Sequence, residues 1–202
     1  MTEDEEWEAV GAALREAGID PTDLARFVND PHPELPGFEP STFDSLRAYP
    51  VLMAWLPRVQ APAVVETLAS RIRESGKRSD SARALIAKYR ERPGWSLGDA
   101  VARTMTPAEH EDVVDLCADR SAGRTRQMLV YSLWRIKTPR ARELIRELLG
   151  DPAVCGHAMY SARRAFGNDE AKRLIEPLAG HADETVRGHA VETLKRIARL
   201  GR

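Results

Sequence analysis

The sequence predicts an all-α chain: an α-solenoid of about five stacked antiparallel helix pairs behind a divergent N-terminal helical cap. Three observations predict it. Sequence similarity recurs at intervals of about thirty residues, apolar residues follow a helical period, and helix start and stop signals recur at the same interval.

The recurrence is plainest near the C-terminus. Val154, Gly156, His157, Ala158 and Arg164 reappear as Val186, Gly188, His189, Ala190 and Arg196, each 32 residues on. Shifting back by 29 places Tyr131-Ser132 under Tyr160-Ser161 and Arg135 under Arg164. The alternate helices repeat too, with Thr106-Pro107, Glu111, Val113, Asp115, Leu116 and Asp119 matched by Thr138-Pro139, Glu143, Ile145, Glu147, Leu148 and Asp151. Apolar residues at 154, 158, 162 and 165, and at 186, 190, 194 and 197, form one helical stripe per copy. A helix pair cannot cover such a stripe alone, so each must lie against the next.

In chain order, residues 4–17 and 21–28 read as the helical cap, and residues 29–40, with prolines at 31, 33, 36 and 40, read as a linker. Together they give a first region, 1–41, and the solenoid occupies 42–202. Its helices are expected over 42–56 with 63–75, then 79–92 with 96–105. Thr106-Pro107 and Thr138-Pro139 each pair a side-chain cap with the proline tolerated in a first turn. Gly150-Asp151-Pro152 and Gly167-Asn168-Asp169 each end one helix and begin another. The second helix of the earliest complete copy is read over 125–136.

Composition narrows the class. The net charge is −1, but residues 1–60 carry −8 and residues 123–202 carry +7. Such a split can mean ends that face different partners, two ends that attract each other, or solvated helix faces. Arginine outnumbers lysine 25 to 5, which reads as a GC-rich bacterial coding bias. The acidic residues 1–8 do not resemble a secretory signal, and no stretch reaches the length of a membrane span, so a cytoplasmic protein is expected. Cys117 and Cys155 have no metal-site spacing and read as small buried hydrophobes.

Residues 183–197, from Asp183 through Val186-Arg187, Ala190 and Leu194 to Ile197, resemble HEAT repeats of the short bacterial kind that includes the bilin-lyase-type repeats. Asp151, Val154, Ala158 and Ala162 fit the same pattern, but Cys155 stands where the family has arginine. The likeness covers 106–200 and, more faintly, 42–105. It implies a solenoid whose inner, second-helix face holds partners, and it implies no reaction.

The candidate site follows from the repeat register. Arg103, Arg135, Arg164 and Arg196 recur at intervals of 32, 29 and 32, and a solenoid turns equal spacing into a row. His157 and His189 stand seven residues before Arg164 and Arg196, on the same flank. Arg163 and Lys195 widen the face. Either this face receives an anionic partner, or each arginine covers its neighbour's apolar surface and pairs with a carboxylate of the adjoining repeat. His157 and His189 each follow a glycine at a packing position and read as structural. His110, in Glu109-His110-Glu111-Asp112, reads as a solvated helix face, with no ligand set for a metal. The apolar run 49–57 around Trp55 reads as core.

No nucleophile motif, phosphate loop or zinc spacing occurs in the chain, so neither a cofactor nor catalysis has an argument in the sequence. The expected function is a non-enzymatic adaptor or regulatory module that grips a protein partner, with an acidic surface, along the second helices. The alternatives that the resemblance implies are a nucleic-acid-binding protein, including an alkyl-base DNA glycosylase using Trp95 and Trp134 near the arginines, and a bilin-lyase-like enzyme. The near-zero net charge weighs against a dedicated DNA binder.

Overall fold

A computed structural model describes residues 1–25, 42–76 and 79–200, and every regular element among them is helical. The described residues contain no strand, as the period of the apolar stripes requires. The chain forms two compact units, Met1–Glu109 and His110–Arg202. The boundary that composition places after residue 41, the linker 29–40 and the end of the helix expected over 21–28 all lie outside the described residues.

The first unit holds α1 (Glu3–Glu16), α2 (Ser45–Trp55), α3 (Pro62–Glu74), α4 (Ser79–Glu91) and α5 (Trp95–Thr104). Thr2 and Glu5 close a capping box at the start of α1. Residues 22–25 are turn rather than the start of a helix. The Thr22 N–H and hydroxyl both donate to Asp20 Oδ1, at 2.9 and 2.6 Å, an alternative to helical bonding that Asp offers readily. α2 packs on α3 and α4 on α5, while α3 also lies along α5. Leu52, Leu68, Ile72, Leu85 and Leu97 are fully enclosed between them, each worth roughly 1.5–3 kcal/mol of burial. In the run 49–57, read as core, Leu52 and Leu56 are buried, but Pro50, Ala54 and Pro57 are exposed and Trp55 is only half-buried, with the Arg58 guanidinium 5.4 Å from its ring centroid.

Two carboxylates hold this unit's helices in register. Neither α3 nor α5 has a side-chain cap of its own. Buried Glu6 of α1 instead accepts from the N–H groups of Gln60 and Ala61 at 2.8–2.9 Å, satisfying donors at the start of α3. Glu66 of α3 does the same for α5, accepting from the Ser96 N–H at 2.6 Å. A Cβ at Gly94 would fall 1.7 Å from Glu66 Oε1, so any larger residue there displaces the carboxylate that accepts from the Ser96 N–H. At Thr106-Pro107 the N–H and the hydroxyl of Thr106 both donate to Glu109 Oε2, at 2.9 and 2.7 Å. Glu109 is therefore buried rather than solvated. Burial opposes its ionisation, but the Thr106 bonds and nearby Arg83 outweigh that and hold it below the ordinary value.

The second unit holds α6 (His110–Ala118), α7 (Gln127–Ser132), α8 (Pro139–Leu148), α9 (Cys155–Phe166), α10 (Asn168–Ile175) and α11 (Glu184–Leu200). α8 and α10 pack on α9, and α10 packs on α11. α7 packs on α9 and α9 on α11, so the second helices of the repeat adjoin one another in chain order. Val154, Ala158, Ala162, Val186, Ala190 and Ile197 are buried as their stripe predicts, and Ala165 and Leu194 are half-buried. Thr138 caps α8 by accepting from the Ala141 N–H.

The helix expected over 125–136 is the clearest departure. Only Gln127–Ser132 is α-helical, between 3₁₀ segments at Arg120–Arg126 and Leu133–Arg135. Gly123, at φ +53, breaks the first segment. At the other end the Leu133 N–H bonds back to the Val130 carbonyl, and buried Ser161 of α9 donates to that carbonyl at 2.6 Å and to Tyr131's at 3.0 Å.

Candidate functional site

Of the four arginines expected in one row, Arg103 lies near the end of α5 in the first unit, and its Nε donates to both Asp99 oxygens at 2.9 and 3.1 Å. Asp99 also pairs with Arg73. Arg103 thus has the structural pairing that a repeat arginine can have, within its own helix. Arg135, Arg164 and Arg196 belong to the second unit, following α7, on α9 and on α11, and all three are exposed. Among the described residues, no carboxylate forms an ion pair with Arg164, Arg196 or Lys195. Arg163 donates to the Asn168 side chain at a long 3.4 Å.

Aromatic rings accompany these cations. Tyr131 and Tyr160, one repeat apart, stack with centroids 4.0 Å apart and planes 16° from parallel. Tyr131 is exposed and Tyr160 half-buried. The Arg164 guanidinium lies 4.4 Å from the centroid of Trp134, and Lys137 lies 5.5 Å from the same ring, so cations flank the indole. The guanidinium group keeps donors available because a ring face accepts none of its in-plane N–H bonds.

The histidines add to this surface. His157 is half-buried and meets Tyr131 edge to face at 6.3 Å, and exposed His189 lays its ring over Gly156, where a Cβ would come within 2.8 Å. Gly156 is therefore the gap that admits His189. Burial, and then the neighbouring His189, hold the His157 imidazole below its ordinary value, so it favours the neutral form. His110 is half-buried, and no group of three potential metal ligands occurs among the described residues.

Neither cysteine suits catalysis. Cys117 and Cys155 are buried free thiols, and burial pushes both above the ordinary thiol value. Beside Cys155 lies an interaction that the repeat register could have revealed. Arg126 occupies the position of Cys155 and Arg187 in the other copies, and it is fully buried with its Nη2 2.8 Å from Asp151 Oδ2. Its remaining donors bond the carbonyls of Cys117 and Gly123. Arg187 instead bonds the carbonyls of His181 and Ala182. The Tyr131–Tyr160 stack was legible in the same way, as one residue type recurring at one repeat position.

The Arg164 guanidinium offers donors suited to carboxylates, and the neighbouring rings offer faces suited to apolar groups. No described helix is long and apolar enough to cross a membrane. No protein-family model matches the chain, and neither a curated protein nor a solved structure matches it.

Proposed function

We propose that this protein is a non-enzymatic interaction module, built as a HEAT-like α-solenoid, whose second-helix face in the second unit binds an acidic segment of a partner protein. The observation that carries it is the stacked Tyr131–Tyr160 pair together with the Arg164–Trp134 contact, on second helices whose Arg164 and Arg196 have no carboxylate ion-pair partner among the described residues. Aromatic rings and arginines are the side chains most enriched where protein interfaces gain their affinity. The solenoid reading is supported by the adjoining of α7, α9 and α11 and by the recurrence at 29 and 32 residues.

The test is capture from extract of the native cell by the whole protein and by its Arg164→Glu/Arg196→Glu variant, with identification by mass spectrometry. Protein partners retained by the first and lost by the second support the proposal. Recovery of nucleic acid, lost steeply with added salt, would favour the nucleic-acid alternative instead. An identical set of captured proteins would count against the face altogether.

A further inference from the structure

Resting on that reading of the face, we infer that its acidic occupant is the outward side of α1 in a second copy of this chain, so that the protein associates with itself from first unit to second. α1 is amphipathic in an unusual sense. Its buried stripe, Glu6, Val10 and Leu14, faces its own unit, and Asp4, Glu5, Glu8 and Glu16 are exposed on the opposite side. Glu5 is committed to the capping box and Glu8 pairs with Arg15 in water, a contact easily exchanged. Asp4 and Glu16 have no ion-pairing cation among the described residues.

Dimensions and charge agree. Asp4 and Glu16 are twelve residues apart in one helix, about 18 Å along its axis. Three helices adjoining at 8–10 Å put the outer two roughly 16–20 Å apart. One α1 laid across α7, α9 and α11 can therefore bring carboxylates near each of the three in turn. The chain segregates its charge, −8 over residues 1–60 and +7 over residues 123–202, while the whole carries only −1. Two copies consequently meet with almost no net repulsion and with opposite patches available for steering. Lys195 and Arg163 extend the cationic side, and Trp134 and Tyr160 offer apolar surface to the methylenes of glutamate.

The experiment is sedimentation and light scattering of the whole protein over a concentration series at low and high salt, with charge-reversed variants. The wild type is expected to rise above its 22.5 kDa monomer mass with concentration at low salt, and to return to it at high salt. Asp4→Lys/Glu8→Lys/Glu16→Lys, and separately Arg164→Glu/Arg196→Glu, should each weaken association by about tenfold or more. Both sets in one chain should restore it. Asp80→Lys/Glu147→Lys/Glu176→Lys, which changes net charge equally at exposed sites elsewhere, should leave it intact. A wild type that stays monomeric at every concentration overturns the inference, as does equal loss in that control or failure of the doubly reversed chain to associate. A labelled polyglutamate peptide, titrated into wild type and Arg164→Glu/Arg196→Glu protein, tests the face separately. Binding that only the wild type shows, without self-association, removes the second copy and keeps the face; no binding and no self-association removes both.

Discussion

Arg126 and Asp151 form a buried ion pair, 2.8 Å from Nη2 to Oδ2, joining the segment that enters α7 to the segment that enters α9. Both side chains are less than a tenth exposed, and Asp151 also accepts from the Ala153 N–H at the start of the next turn. The pair thus ties the segment before α7 to the segment before α9, where Asp151 also holds a backbone N–H.

Removing one partner leaves the other charge buried, so Arg126→Ala should destabilise the protein by about 3–5 kcal/mol. Chemical denaturation followed by circular dichroism measures this. Burial alone would raise the Asp151 carboxyl, but Arg126 and the Ala153 N–H more than offset it and hold it below its ordinary value of 3.8. Its contribution is therefore fully present above the unfolded value and fades as pH falls through the lower folded one. The acid limb of the wild-type stability curve should flatten in Asp151→Asn.

Gly156 and Gly188 hold the same repeat position 32 residues apart, yet their surroundings differ. Nothing lies within 4 Å of a Cβ added at Gly188, so Gly188→Ala should stabilise α11 by about 0.5–1 kcal/mol through helix propensity alone. At Gly156 the His189 ring must move first, and Gly156→Ala should gain less or lose. Adding His189→Ala should recover the gain. Equal effects at the two glycines would refute the packing described for His189.

His157 should titrate below 6.5, because its folded form disfavours the proton. An imidazole lowered in this way contributes stability that is complete above the unfolded value and declines as pH drops from there toward the folded value. Histidine NMR shifts across the acid range measure it, and His189→Ala should move the His157 midpoint upward.

Ser161 donates to two carbonyls of the neighbouring helix from a fully buried position. Ser161→Ala should cost roughly 1–3 kcal/mol, as those carbonyls lose a donor that water cannot replace. Hydrogen exchange should reveal the loss around residues 130–136 before elsewhere in the second unit.

Helix positions in the repeats were legible because 3.6-residue stripes and Thr-Pro or Gly-Asp punctuation are local signals. The expectation over 79–92 meets a helix at Ser79–Glu91, and that over 96–105 meets one at Trp95–Thr104. The shortening of α7 was not legible, since it arises from Gly123 and from Ser161, which is 29 residues beyond Ser132 in the sequence. Long-range carboxylate caps escaped for the same reason: nothing near Gln60 announces that Glu6 will reach it. In the candidate site, the register identified the cations but not their environments. Arg103 meets Asp99 in its own helix, while Arg164 meets an indole. Solvation and pairing depend on the neighbour in space, and the repeat specifies the position without specifying that neighbour.

The most direct measurement is site-specific photo-crosslinking of the whole protein in its native cell, with p-benzoylphenylalanine replacing either Tyr160 on the second-helix face or Glu147, an exposed residue of α8. Cross-links from position 160 to an acidic protein segment, absent from position 147 and lost on adding Arg164→Glu/Arg196→Glu, are the expected result. Cross-links from position 147 alone, or position-160 cross-links unaffected by the two reversals, would contradict binding at this face.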